Sequence, residues 1–106
     1  MKLMNKLFAA LVLFGMSNAA FGYSFTFKNE TGKAIKVEVQ TNKNESKTTA
    51  IPAGSQDTFL FTGTGCLRAV FVDGVQAPIN SSKARCQDIN DFYIAVSGGK
   101  PAVYAK

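Results

Sequence analysis

Short segments in which apolar and polar residues alternate constrain the fold of this chain more than any other feature. Residues 23–28 read YSFTFK and residues 34–40 read AIKVEVQ, so that every second side chain is apolar. Successive side chains of a strand point to opposite faces of a sheet, so this period predicts strands with one buried and one solvated face. Further short segments that predict strands lie at about residues 48–51, 57–61, 67–72, 92–96 and 101–105.

Turn-forming sequences separate these segments, among them PAGS at residues 52–55 and TGTG at residues 62–65. A turn signal every 8 to 12 residues or so is typical of sandwiches and barrels. We therefore expect an all-β fold, a small antiparallel β-sandwich or partly open barrel of seven to eight short strands.

The first two strands are expected to pair as a hairpin across the polar segment NETGK at residues 29–33. A five-residue loop places Phe27 opposite Ile35 and Phe25 opposite Val37, which keeps the apolar side chains on one face. Residues 67–72 are apolar on both faces apart from Arg68, which predicts a central strand covered on two sides.

Asp73-Gly74 is a strong signal for a two-residue hairpin turn. It sets Val72 opposite Val75 and predicts a short edge strand afterwards, because Pro78 cannot donate a main-chain hydrogen bond.

Gly98-Gly99 predicts a second hairpin, in which Ile94 pairs with Val103 and Tyr93 with Tyr104. One face would carry Phe92, Ile94, Val96 and Val103, and the other would carry the two tyrosines. The intervening residues 80–91 are polar, with one helical turn expected at residues 82–87.

Residues 1–22 have the pattern of a cleavable signal peptide: Lys2 and Lys6, a short apolar run at residues 7–16, then small residues. We expect cleavage after a residue between Ala19 and Gly22, which leaves one β domain at residues 23–106. The apolar run is shorter than the roughly 20 residues of a spanning helix, so no transmembrane segment is expected in the mature chain. The leader is typical of bacterial proteins, and the expected location is periplasmic or extracellular.

Cys66 and Cys86 are the only cysteines. In an exported chain they are expected to form a structural disulfide rather than a redox pair, since their spacing lacks a Cys-x-x-Cys arrangement. A bridge over about twenty residues contributes about 3 kcal/mol in the chain-entropy model.

Several chemistries lack their usual residues. The chain has no histidine, and its three methionines all lie in the predicted leader, so no enzyme activity, cofactor or transition-metal site is expected. Asp73, Asp88, Asn90 and Asp91 lack the spacing of a calcium loop and are interpreted as turn residues. The sequons at Asn29, Asn44 and Asn80 are interpreted in the same way. The mature charge of about +3 is too small to indicate nucleic-acid binding.

Two sets of residues are candidates for ligand binding. Tyr93 and Tyr104 would form a stacking platform for a sugar or a protein, or else cover the sheet as core. Four lysines in and beside the first two loops would form a basic rim if these loops share one end of the sandwich. The alternative is that these lysines are ordinary solubilising surface. The rim lysines are Lys28, Lys33, Lys43 and Lys47.

The leading functional hypothesis is a non-catalytic binding module for an anionic lipid or glycan surface or a protein partner. A second is a secreted inhibitor or accessory subunit that presents residues 75–85, braced by the disulfide, to an enzyme or complex. A third is a hydrolase that works without histidine. The partner loop of the second hypothesis comprises Val75, Gln76, Ala77, Pro78, Ile79, Lys83 and Arg85.

Overall fold

The computed structural model describes residues 22–80, 86 and 89–106, and within them it shows nine strands and no helix. The predicted leader up to residue 21, the predicted helical turn apart from Cys86, and Lys83, Arg85 and Asp88 lie outside the described residues. The strands are β1 Gly22–Asn29, β2 Ile35–Thr41, β3 Ser46–Ile51, β4 Gln56–Thr62, β5 Leu67–Val72, β6 Val75–Ala77, β7 Ile79–Asn80, β8 Ile89–Ser97 and β9 Lys100–Ala105.

These strands form two sheets that pack face to face, which confirms the predicted β-sandwich. The five-stranded sheet has the order β4-β1-β8-β9-β7, and the four-stranded sheet has the order β3-β2-β5-β6. Two pairs in the larger sheet, β8 with β1 and β9 with β7, are parallel, and the others are antiparallel. Alternation of side chains does not indicate strand direction, so the sequence did not predict the parallel pairs.

The core lies between the two sheets and is rich in aromatic rings on the side of the larger sheet. Stacked and edge-to-face contacts join rings from β1, β4 and β8, with centroids 5.3 to 6.4 Å apart. Burial of each large apolar side chain contributes about 1.5 to 3 kcal/mol, and aromatic pairs add to this. The rings belong to Tyr23, Phe25, Phe27, Phe59, Phe61 and Phe92.

Both hairpins predicted from glycine turns are confirmed in register. Across the first turn Val72 pairs with Val75, and positive φ angles at Asp73 (52°) and Gly74 (85°) give the mirror-image turn that matches strand twist. Across the second turn, Tyr93 pairs with Tyr104. Turn chemistry specifies these registers locally, so they are readable from the sequence.

The predicted hairpin between β1 and β2 is wrong. Phe27 pairs with Asp57 of β4 and Phe92 of β8, whereas Ile35 pairs with Ile51 in the other sheet. The five residues between β1 and β2 carry the chain from one sheet to the other. Strands in either arrangement bury the same alternate side chains, so the alternating pattern does not distinguish the two.

β5 lies between β2 and β6, as a central strand should, but none of the described strands forms a second layer over its outer face. Arg68 is exposed and Phe71 is half-buried. After β6 the ladder ends at Ala77, and the Pro78 carbonyl accepts a hydrogen bond of 2.8 Å from Val103 N in the other sheet. Pro78 is therefore where the chain crosses between the sheets.

Candidate functional site

The loops of the sandwich lie at two opposite ends. The Asn29 end, as we name it, contains residues 30–34, 52–55, 73–74 and 98–99, because β1, β3, β5 and β8 all finish there. The Cys66 end contains the turn at residues 42–45, residues 63–66 and Cys86. β2 runs between the ends over seven residues, so they are about 20 Å apart.

The buried side chain of Asn29 organises the loops at its end. Its amide donates to the carbonyls of Lys33 (2.7 Å) and Ile51 (2.8 Å), and its oxygen accepts from the Thr31 N–H (3.0 Å) and hydroxyl (2.7 Å). An asparagine amide has two donor hydrogens and two acceptor lone pairs, and all four are used here. The first predicted sequon is thus turn chemistry in the folded chain.

A groove of about 610 Å³ opens at the Asn29 end, between the β5–β6 hairpin of one sheet and the start of β9 in the other. Its lining is mainly apolar, with a few charged groups at the margin. The lining residues are Lys33, Val72, Asp73, Val75, Gln76, Ala77, Pro78, Lys100 and Pro101.

The groove is an opening of the core itself. Val75 pairs with Val72 and therefore shares its inward face, yet Val75 is 68% exposed whereas Val72 is buried. On the opposite sheet Val96 pairs with Pro101 and lies on the same face as Phe92 and Ile94, as predicted, yet Val96 is 49% exposed whereas those two are buried. The inner faces of both sheets reach the solvent here.

Three charged side chains stand around the groove. The ammonium groups of Lys33 and Lys100 have no ion pair or hydrogen bond with any residue that the structure describes. Asp73 is engaged in the fold, since its Oδ1 accepts from Lys36 N (2.9 Å) and its own N–H donates to Lys36 O (2.8 Å). The groove therefore carries a net charge of one positive unit, with two cations available to a ligand.

The predicted rim of four lysines does not form, because its members lie at both ends. Lys28 and Lys33 lie at the Asn29 end, and Lys28 is paired with Glu30 at 3.8 Å. Lys43 lies in the turn at the Cys66 end. Lys47, on β3, donates to the Leu60 carbonyl and lies 5.3 Å from the ring centroid of Phe61.

Tyr93 and Tyr104 stack on each other, with ring centroids 5.2 Å apart and an angle of 20° between the planes. Both are half-buried on the outer face of the larger sheet, since their neighbours Phe92, Ile94 and Val103 face the core. They are therefore not core residues. Lys28 pairs with Tyr93 across the neighbouring strand, so two of the predicted ligand-binding groups share this face.

The partner loop predicted from the sequence is divided by the fold. Its first residues form β6 and β7, with Val75, Gln76 and Pro78 exposed, Ile79 half-buried and Ala77 buried. Ala77 packs in the core and therefore presents no surface on the outside of the sandwich. Lys83 and Arg85 are among the residues that the structure does not describe.

The Cys66–Cys86 disulfide is confirmed, with the two Cα atoms 4.1 Å apart. Cys66 N donates to the Asn42 side chain (2.8 Å), and Asn42 N donates to Cys66 O (3.0 Å). These bonds join the β2–β3 turn to the start of β5, so the disulfide belongs to the architecture of this end.

Tyr23 lies at the same end and is only 2% exposed. Its hydroxyl donates to Glu45 Oε1 at 3.0 Å. Burial raises the pKa of the Tyr23 hydroxyl above its usual value of 10.0; the contact with Thr41 lowers it, and the Glu45 carboxylate raises it further. This group packs and anchors the β2–β3 turn.

Of the residues considered for calcium, the three that the structure describes do not converge. Asp73 lies at the Asn29 end, whereas Asn90 and Asp91 begin β8 at the Cys66 end. Among the described residues there is no group of three acidic, cysteine or histidine side chains that would hold a metal ion.

Lys100 and Pro101 are site residues that the sequence did not predict. They follow the glycine turn directly, so the available signal was a lysine beside a predicted hairpin. Only the packing of the two sheets shows that this hairpin faces the one at Asp73-Gly74.

Comparison with known proteins supports the fold. No family model matches the chain, and no curated protein matches it either. It is similar to a solved NMR structure of a protein from Eubacterium rectale, with a TM-score of 0.58, 13% identity, and coverage of 86% of this chain and 94% of that one. At this identity the likeness concerns the fold alone.

None of the described residues belongs to a helix long and apolar enough to span a membrane.

Proposed function

We propose that this chain is an exported, non-catalytic binding protein, and that its ligand has an apolar part and a single anionic group. The observation that carries this proposal is the groove at the Asn29 end, where apolar inner-face residues are open to solvent beside two lysines whose ammonium groups have no partner among the described residues. The predicted leader and the disulfide support export, since such bridges persist in oxidising compartments.

The size and lining of the groove suit a small ligand or a short chain segment. Binding pockets commonly measure about 300 to 1,000 Å³, and this groove, at about 610 Å³, lies in that range. Val75 supplies the largest gain, because its side chain is 68% exposed although its strand partner Val72 is buried. Each 100 Å² or so of apolar surface that a ligand covers there contributes about 2.5 kcal/mol before the cost of association.

The charges set the sign of the ligand. Lys33 and Lys100 both line the groove, Lys33 from the β1–β2 loop and Lys100 from the start of β9. A carboxylate or phosphate held between them gains two charge-assisted contacts, and bound apolar groups reduce the screening by water. Asp73 disfavours a second negative charge on the ligand.

The proposed role is binding rather than catalysis because the groove offers no general base of the usual kind. The chain contains no histidine, and the Asp73 carboxylate in the groove is committed to the main chain of Lys36.

The test is an NMR titration of the ¹⁵N-labelled, oxidised protein with laurate below its critical micelle concentration. We expect the amide signals of residues 33, 75–77 and 100 to shift, while those of residues 42–45 at the opposite end do not. Dodecyl maltoside, which has the same chain and no charge, should bind more weakly, and added salt should reduce the difference.

Two charge variants sharpen this test. Lys33→Gln combined with Lys100→Gln should weaken laurate binding about tenfold, since each exposed charge contact contributes up to about 1 kcal/mol. Lys43→Gln, at the Cys66 end, is the matched control and should leave the affinity unchanged. Shifts spread over the whole surface, or an equal loss in the control, would overturn the assignment of the groove.

A further inference from the structure

We propose that the natural ligand of the groove is an extended peptide segment that adds a strand to β6. This inference rests on the proposed function, because it names the class of ligand for the same groove. The observation behind it is the edge of β6 at Gln76, a residue of the groove lining, where no partner strand lies among the described residues.

The register of the β5–β6 hairpin determines which main-chain groups are free. In a two-residue hairpin the flanking pair, Val72 and Val75, exchange both hydrogen bonds, and bonded and non-bonded pairs alternate from there. Phe71 and Gln76 are therefore a non-bonded pair. The N–H and C=O of Gln76 consequently point away from β5.

β6 is the last strand of its sheet, so no further strand meets these groups among the residues that the structure describes. Pro78 closes the edge two residues later, since it has no N–H and its carbonyl bonds to Val103. The edge thus offers one donor and one acceptor, side by side, which matches one residue of an added strand.

The side chains around this edge determine which residue types the peptide needs. Alternate residues of an added strand point to one face, and on the inner face they would cover Val75 and Ala77. These positions call for apolar residues two apart. A single carboxylate on the peptide would lie between Lys33 and Lys100, which complements the net charge of the groove.

This occupant differs from a fatty acid or similar amphiphile in one respect that an experiment can measure. An amphiphile uses the apolar lining and the two lysines and does not need Gln76 N–H. A strand-adding peptide needs both its own main-chain N–H and that of Gln76.

The variant Gln76→Pro removes this donor without removing a bond of the sheet, because the Gln76 N–H faces outward on an edge strand, where proline is tolerated. Thr48→Pro is a matched control on β3, the other edge of the same sheet. The N–H and C=O of Lys36 face Asp73, on the β5 side of β2. Glu38 lies two residues further along, so its main-chain groups point to the same side and away from its strand partner Thr48. By the same alternation the Thr48 N–H also points outward.

The experiment is a selection of displayed random nonapeptides on the oxidised protein, with Gln76→Pro as the counter-selection target. We expect enriched peptides to carry apolar residues two apart and one acidic residue. A synthetic peptide from the selection should lose about tenfold in affinity when its central residue is N-methylated, and about as much against Gln76→Pro. Thr48→Pro should bind it like the unmodified protein.

Enrichment of no peptide over Gln76→Pro, or an N-methylated peptide that binds equally well, would overturn the inference. If laurate still shifts the groove signals in that case, the proposed function stands and the occupant is an amphiphile. If neither probe binds, both proposals fail.

Discussion

Replacing Asn29 with alanine removes the four hydrogen bonds that join the loops at one end of the sandwich. The largest loss is at the carbonyl of Ile51, a residue only 1% exposed, because water does not replace the Asn29 amide there and the loss of this buried hydrogen bond costs about 1 to 2 kcal/mol. Lys33 is exposed, so water replaces the amide at its carbonyl, and this bond and those to Thr31 together add about 1 kcal/mol. We expect Asn29→Ala to lose about 3 kcal/mol of unfolding free energy.

Urea unfolding followed by far-UV circular dichroism measures this loss, with the disulfide kept oxidised and the slope m compared between variants. In a domain of this size 3 kcal/mol lowers Tm by about 12 to 24 °C. Asn80→Ala is the matched control, since Asn80 is exposed on β7 and such surface changes stay within about 0.5 kcal/mol. A loss below about 1 kcal/mol in Asn29→Ala would refute the view that Asn29 holds these loops together.

Asn29→Asp tests the same hydrogen bonds through the pH dependence of the unfolding free energy. The new oxygen would replace an amide nitrogen that lies 2.7 and 2.8 Å from two carbonyl oxygens, so the ionised form is disfavoured and the pKa of the new carboxyl is raised in the folded state. The native state then holds the proton more tightly than the unfolded state, and stability falls as pH rises above about 4. We expect this variant to be closer to the unmodified protein at pH 4 than at pH 7.

Three predictions concern the Cys66 end. Gly65→Ala should be strongly destabilising in urea titrations, because a Cβ at Gly65 would lie 2.5 Å from the ring of Tyr23. The raised pKa of Tyr23 means that the native state keeps its proton longer, so stability should fall as pH rises above the unfolded value of 10.0, and Tyr23→Phe should show less of this alkaline loss. Replacing Cys66 and Cys86 together with serine should lower the unfolding free energy by about 3 kcal/mol relative to the oxidised protein, and the reduced unmodified protein, as the control, should show a similar loss.

The parts of the fold that the sequence predicts are those fixed by local chemistry. Asp73-Gly74 and Gly98-Gly99 each determine a turn, and the turn determines which residues pair across it. The link from β1 to β2 lacks such a turn. Its path depends on the bond from Asn29 to Ile51, a residue 22 positions away, which alternation of side chains does not indicate.

The candidate site shows the same limit. Val75 and Lys33 belong to two separate binding hypotheses, and nothing in the sequence indicates that they lie together in one groove. They share the groove because strand order brings the β5–β6 hairpin beside β9 and the β1–β2 loop. Groups from three loops meet only through the packing of both sheets, so the sequence predicts the types of residue and not the site.

Lys47 provides a test of whether the structure separates binding lysines from structural ones. Lys47 pairs with Val39 and shares its inward face at the edge of β3, where its ammonium meets the Leu60 carbonyl and lies over the Phe61 ring. It thus joins the edges of the two sheets, and we expect Lys47→Gln to lose about 1 kcal/mol in urea titrations while its affinity for laurate stays unchanged.

Lys33→Gln should show the opposite pattern, with a weaker affinity for laurate and an unchanged urea midpoint, since its ammonium has no partner among the described residues. Lys47→Met keeps most of the side-chain stem over Phe61 and should lose less stability than Lys47→Gln. If Lys47→Gln instead weakens laurate binding and leaves stability intact, then Lys47 belongs to a ligand site at the β3–β4 edge. The prediction of a ligand-binding lysine would then be correct for Lys47 and wrong for Lys33.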